Sequence, residues 1–267
     1  CWAVGERCVA MESLLFLSSA ALALRPSMES LASADGQHVI QSFYESSVFV
    51  TADLRDAMCR LIPRVTVVME DVIQSILQVK WDTSDLGVHH SPYVDMVHAR
   101  FVDLCGALDQ MESFLPPKMR RVIVRGAVLH VMEGLVEGYS RIRRSGANTP
   151  LIISNDISTL KASLELLTRL KPFPFSKHAE NFAKAFFLDI NSPEMIVEWA
   201  RQHAEYPSHQ IAGLCQSLGA KESSAVFGRT VQTSDRVKAL LAQVAQVSKH
   251  HALPSSSITV AQLAGEG

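Results

Sequence analysis

Among the side chains that could do chemistry, two pairs of adjacent histidines, His89-His90 and His250-His251, and two carboxylates, Asp82 and Asp85, beside Trp81 come first. Histidines hold a metal when a further ligand arrives at matching spacing, but adjacent residues point to different sides of any regular element. No third ligand is spaced to join either pair. They read as solvated loop histidines, and neither a metal nor another cofactor is expected. A carboxylate pair could divide the acid and base roles of glycoside hydrolysis. Three residues apart on a connector, Asp82 and Asp85 read instead as the stop of one helix and the cap of the next. The chain has no G-x-G-x-x-G, G-x-x-x-x-G-K-[ST], H-E-x-x-H or G-x-S-x-G motif. With no nucleophile to start from, the sequence is not read as an enzyme.

A binding role is better supplied. Between residues 118 and 144, Lys118, Arg120, Arg121, Arg125, Arg141, Arg143 and Arg144 are opposed only by Glu133 and Glu137. At 100° per residue Lys118, Arg121 and Arg125 fall within about 60°, and Arg143 follows Arg125 by about five turns. On a continuous helix Lys118, Arg121, Arg125 and Arg143 therefore share a side. Such a side suits anionic lipid headgroups or an acidic partner helix; the plainer reading is a solvated rim around a buried centre, paired with carboxylates of neighbouring helices. Gly126, Gly134 and Gly138 lie on the same stretch, and the G-x-x-x-G spacing marks the close approach of another helix.

The elements that must carry these residues are helical. In 267 residues there are only 13 glycines and 11 prolines, and aromatics make up 7%, thin material for tight turns and strands. Charged residues are 19% and apolar ones 48%, a folded composition. The net charge of −2 gives no field that would draw the chain onto nucleic acid, so no nucleic-acid partner is expected. The five cysteines, at positions 1, 8, 59, 105 and 215, form no C-x-x-C pair and suggest neither a disulfide framework nor a zinc site; a reducing compartment follows. The run from Leu14 to Leu24, after Arg7, mimics the apolar core of a signal peptide. Glu12 just before it, the lack of an initiating Met, and a length short of the roughly twenty residues of a membrane span favour a buried helix. A first residue of Cys, already in a helical pattern, suggests a piece of a longer protein.

Prolines cut the chain into helix-sized pieces, and the apolar period within them is helical. Val124, Val128, Met132, Leu135, Tyr139 and Ile142 form one stripe; Ile157, Leu160, Leu164, Leu167 and Leu170 form another. Ser192-Pro193-Glu194 reads as a helix start, and Ser154 or Asn155 as the cap of the second stripe. Helices are expected near 3–24, 37–61, 64–80, 92–114, 118–144, 155–170, 178–188, 193–204, 208–218 and 234–249. Residues 144–150 read as a loop and 171–176 as a stiff connector. One helical domain over 1–250 is expected, with sub-bundles 1–145 and 150–250, followed by a disordered tail at 251–267.

Short motifs add a resemblance. Cys8-Val-Ala-Met-Glu-Ser-Leu-Leu-Phe16, Val79-Lys-Trp-Asp82, Tyr93-Val-Asp95 and Val136-Glu-Gly-Tyr-Ser140 occur in this order in the C-terminal domain of the syndetin family. Leu167-Thr-Arg-Leu-Lys-Pro172, Phe182-Ala-Lys-Ala-Phe-Phe187, Trp199 to His203 and Glu205-Tyr206 fall in matching positions. The chain resembles that domain over residues 8–218 and departs from it at 144–155 and after Leu218. The resemblance implies an all-α, elongated stack of helical bundles of the multisubunit tethering complex type. It implies a non-enzymatic subunit of the endosome-associated recycling protein complex (EARP), which shares its other subunits with the Golgi-associated retrograde protein complex (GARP). Those subunits, SNAREs and an anionic lipid surface are the implied partners. The implied place is the cytoplasmic face of recycling endosomes or the trans-Golgi network. The alternative is a generic helical adaptor that meets anionic membranes through the basic helix.

Overall fold

The computed structural model describes residues 2–83, 89–225, 230–248 and 263. Their regular structure is all helix: α1 (Trp2–Leu31), α2 (Ala34–Thr66), α3 (Glu70–Gln78), α4 (Pro92–Asp109), α5 (Pro117–Ser140), α6 (Thr149–Thr168), α7 (Ser176–Ala185), α8 (Pro193–Gln202), α9 (Ser208–Ala225) and α10 (Thr230–Ser248). Pro92, Pro117 and Pro193 each occupy the first position of a helix, where a missing N–H costs nothing and the fixed φ helps. Arg169 ends α6 in the left-handed region at φ 58°, its N–H bonded to the Glu165 carbonyl.

Two prolines do not break the chain where the sequence suggests. Pro26 lies inside α1, and Pro63 lies in the last turn of α2. At Pro26 the carbonyl that loses its donor is that of Leu22, and both residues are exposed, so water can take the place of the missing N–H. The helix expected at 3–24 therefore runs to Leu31, and the one expected at 64–80 is the shorter α3. At the start of α6 the helix begins at Thr149 rather than at 155. Ser154 is not a cap but lies within the helix, its hydroxyl donating to the Pro150 carbonyl at 2.7 Å. Ser192 precedes α8 as expected but makes no side-chain cap bond.

The chain divides into two compact units. One comprises Cys1–Val67, Val102–Ala127 and Thr259–Gly267; the other comprises Val68–Phe101 and Val128–Ile258. The division is not the sequential one expected at 145–150, because α4 and α5 each contribute residues to both units. The expectation of a disordered tail at 251–267 lies outside the described residues except at Leu263, which is buried.

In the first unit α1 and α2 form an antiparallel hairpin closed by Ala32 and Ser33, the Ser33 hydroxyl accepting from Gly36 N–H. The Cys59 thiol meets Met11 Sδ at 2.9 Å, and Arg55 pairs with Glu12. Apart from Tyr44, burial is concentrated at the end where residues 102–127 lie: Val4, Cys8, Met11, Ile62, Leu104, Leu108 and Ile123 are all buried. In the second unit the α5 stripe of Val128, Met132, Leu135 and Tyr139 is fully inside, as its spacing requires, and Ile142, just past the end of the helix, is buried with it. Gly134 and Gly138 are where α3 comes closest: a Cβ on Gly134 would stand 2.6 Å from Met69, and one on Gly138 2.6 Å from Ile76. The G-x-x-x-G spacing thus marks helix-to-helix contact. Gly213 of α9 is tighter still, since its Cβ would collide with the Ser140 carbonyl oxygen.

Candidate functional site

The cationic residues do not form one helix face. Lys118, Arg121 and Arg125 sit on α5 in the first unit, with Lys118 and Arg121 exposed and Arg125 half-buried. Burial, with a smaller contribution from neighbouring Arg121, lowers the Arg125 pKa from its ordinary value. Helix α5 ends at Ser140, so the continuous helix needed to align Arg143 with the other three is not there. Arg143 belongs to the second unit, beyond the turn, and donates from Nη1 to Gln216 Oε1. Arg120 pairs with Asp109 at 2.6 Å, and Arg141 with Glu137 at 2.8 Å, both partly exposed pairs of modest worth.

Of the histidines, His89 is exposed, and His90 Nε2 lies 2.8 Å from Asp95 Oδ1. His250, His251 and Asp85 lie outside the described residues. Among the described residues no group of three or more His, Cys, Asp or Glu could hold a metal ion. Cys8, Cys59, Cys105 and Cys215 are buried and free. Burial pushes the Cys8 thiol up to about 11 and the Cys59 and Cys215 thiols to about 12, so all three are poor nucleophiles at neutral pH.

Three of the motif residues converge around Asp156, which belongs to none of the motifs. The Tyr93 hydroxyl donates to Asp156 Oδ2 at 2.8 Å, and the Ser91 N–H donates to Oδ1 at 2.9 Å. An ionised carboxylate only accepts, so Tyr93 spends its proton there and Tyr139, 3.0 Å away, donates to the Tyr93 oxygen. Trp81 packs edge-on against Tyr139 and donates from Nε1 to the Ile76 carbonyl. Asp156 is 1% exposed, and burial raises the Tyr93 and Tyr139 hydroxyl pKa values. A closed network with no access to solvent cannot bind a substrate; it fixes how α4, α5 and α6 pack. The available signal was a lone carboxylate on the apolar stripe of α6, between Ile153 and Ile157. A second cluster gathers Phe182, Trp199, His203 and Tyr206, with Trp199 and Tyr206 stacked at 5.4 Å and the Tyr206 hydroxyl donating to the His178 carbonyl. The weaker matching stretches at 182–187, 199–203 and 205–206 supply this cluster.

The surface feature that stands out is apolar. From Glu12 to Met58, Tyr44 alone of the described side chains is buried. The run expected to be a buried helix is helical but not buried: Phe16 is 72% and Leu31 85% exposed. It is part of Val4–Leu31, one helix long and apolar enough by length and composition to cross a membrane. Ala10, Leu17, Leu24 and Leu31 recur every seven residues, as do Leu14, Ala21 and Met28, the period of a coiled-coil seam. On α2, Val39, Phe43, Val50, Leu54 and Leu61 make a second exposed row. At 100° per residue each row stands about 110–120° from the residues facing the other helix, and antiparallel pairing brings both rows to the same side of the hairpin.

Against known proteins, the family model described as "Syndetin, C-terminal" matches residues 1–247, beyond the 8–218 of the motifs and through α10. Syndetin of Mus musculus is 25% identical over 215 residues, 80% of this chain and 22% of that protein; the syndetins of Rattus norvegicus and Gallus gallus match to the same extent. The chain thus spans about a fifth of the length of these curated relatives. Motif residues that build the Asp156 network and the Phe182 cluster, a helix order that follows the expected one, and a family match over nearly the whole length lead to one conclusion: this chain belongs to the syndetin C-terminal family.

Proposed function

We propose that the chain serves as part of a non-enzymatic subunit of an endosome-associated vesicle-tethering complex of the EARP/GARP type. In this reading it acts in endocytic recycling and retrograde transport and promotes SNARE-dependent fusion through contacts between helices. The observation that supports a contact role is the α1–α2 hairpin, whose two apolar rows lie on one side with no described helix over them. A contiguous row of exposed large apolar side chains marks an interaction surface. The seven-residue recurrence favours a helical partner, since lipid requires no register. Charge agrees: from residue 12 to 58 six carboxylates face only Arg25 and Arg55, which repels an anionic leaflet and suits a helix flanked by Lys or Arg. The exposed Lys118 and Arg121 are, in the same reading, a contact for an acidic partner or headgroup.

The test uses the full-length protein. Deleting the segment that corresponds to this chain should leave recovery of the shared EARP/GARP subunits intact while slowing cargo recycling. Replacing Leu17, Leu24, Phe43 and Val50 together by Ser should reproduce the recycling defect without loss of endosomal localisation. Dissolution of the complex on deleting the segment would overturn the division of labour proposed here.

A further inference from the structure

In the second unit a cavity of about 500 Å³ opens between residues 77–82 and 141–144, lined by Leu77, Val79, Trp81 and Ile142 beneath Lys80, Arg141, Arg143 and Arg144. That volume lies within the usual range of small-molecule sites, about 300–1,000 Å³. We propose that this cavity binds a compact polyanion bearing phosphomonoesters, of the inositol phosphate class.

Charge is the first support. Asp82 is the one carboxylate in the lining, against four cations. Glu137 cancels Arg141, and the C-terminal ends of α3 and α5 together bring about one further negative charge. About one positive charge remains in surplus, and Lys80 and Arg144, which are exposed and have no partner among the described residues, are the side chains placed to present it. Arg143 is held by Gln216, which is neutral and so positions the guanidinium without cancelling it.

The second support is rigidity. Both walls are tied together behind the cavity. The Trp81 carbonyl accepts from Gly146 N–H at 3.3 Å and from the Thr149 hydroxyl at 2.7 Å, and the Ile142 carbonyl accepts from the Ser217 hydroxyl. Gly146 is required there, because a Cβ would stand 2.9 Å from the Asp82 Cα. Cations on a fixed frame lose less freedom on binding than cations on a mobile loop.

Ligand class follows from geometry and size. The Arg144 guanidinium, and the donors that Gln216 leaves open on Arg143, offer the paired N–H geometry that matches phosphate oxygens. The site is short, and the chain as a whole carries a net charge of −2, which disfavours a long polyanion such as nucleic acid and favours a small one with several charges on one ring.

The experiment titrates the chain with soluble inositol 1,4,5-trisphosphate by calorimetry. In parallel, the chain is floated with phosphatidylcholine vesicles that contain or lack about 5% phosphatidylinositol 4,5-bisphosphate. Saturable binding of the soluble headgroup is expected. Its competition with phosphoinositide vesicles would name a lipid as the source, and binding without flotation would name a soluble inositol phosphate. Lys80→Gln with Arg144→Gln should weaken binding about thirtyfold, the loss of two cations at an anionic ligand, and leave the melting temperature unchanged. Lys177→Gln with Lys184→Gln removes the same charge from exposed positions of α7 and should have no effect. Absence of saturable binding in both arms, an equal loss in the control pair, or tighter binding of a phosphopeptide than of the headgroup would overturn the proposal.

Discussion

Replacing Asp156 with Ala tests whether the buried network organises the second unit. The substitution removes the acceptor of the Ser91 N–H and of the Tyr93 hydroxyl. Each buried polar group left without a partner costs about 1–3 kcal/mol, while relief from burying a carboxylate returns part of that, so a net loss of about 3 kcal/mol is expected. Tyr139→Phe removes only the donor at the far end of the chain of bonds and should cost about 1 kcal/mol. Tyr93→Phe falls between, because it leaves Asp156 Oδ2 and the Tyr139 hydroxyl without each other's intermediary. The informative quantity is the coupling. Once Tyr93 has lost its hydroxyl, removing Asp156 orphans one group fewer, and the double variant should cost less than the two singles together by more than about 0.5 kcal/mol. Urea unfolding at pH 7, followed by circular dichroism, measures all four. Strict additivity, or a smaller loss for Asp156→Ala than for Tyr139→Phe, would show that the carboxylate is not the centre of the network.

Two further outcomes follow from the packing and the charge. Gly213→Ala should destabilise more than Gly134→Ala, because the first meets a helix carbonyl that cannot move alone and the second meets the flexible end of Met69; thermal unfolding of the two variants gives the order. Burial, against a smaller opposing pull from Glu205, holds the His178 imidazole below its ordinary value. The unfolded chain therefore takes up a proton near pH 6.5 that the folded one resists, so this contribution to stability is whole above that pH and declines as pH falls through the folded value. His178→Gln should flatten the loss of urea midpoint between pH 7 and 5; an unchanged slope would show that another group governs it.

What the sequence disclosed was periodicity. The α5 stripe, the α6 stripe from Ile157 to Leu164 and the glycines at 134 and 138 repeat at helical spacing, and each is buried or in close contact as that spacing requires. Prolines that open helices were equally legible, since the first turn has no use for their missing N–H. Pro26 and Pro63 were not, because whether a helix survives a proline depends on what can reach the orphaned carbonyl. Arg143 was misplaced for a related reason: a helical wheel assumes an unbroken helix, and α5 stops at Ser140. The cavity at Lys80 and Arg144 joins segments some sixty residues apart, a pairing that no local pattern encodes. Composition alone makes the apolar run at 14–24 look like core, because it does not reveal that, among the described residues, α2 is the helix that packs closely against α1.

Because α4 and α5 each contribute residues to both units, no single cut in the chain separates one unit from the other. A fragment ending near residue 145 keeps most of the first unit but also strands α3, half of α4 and the apolar stripe of α5 without α6 to α9. A fragment beginning near 150 lacks Tyr93, Tyr139 and the glycines that α3 packs against. Deletion mapping with such pieces would expose core surface, and sticky or insoluble fragments would pass for positive or negative binding results. Point substitutions at exposed positions leave both units whole, and excision of the α1–α2 hairpin tip with the helix ends rejoined leaves the second unit whole and spares the buried end of the first.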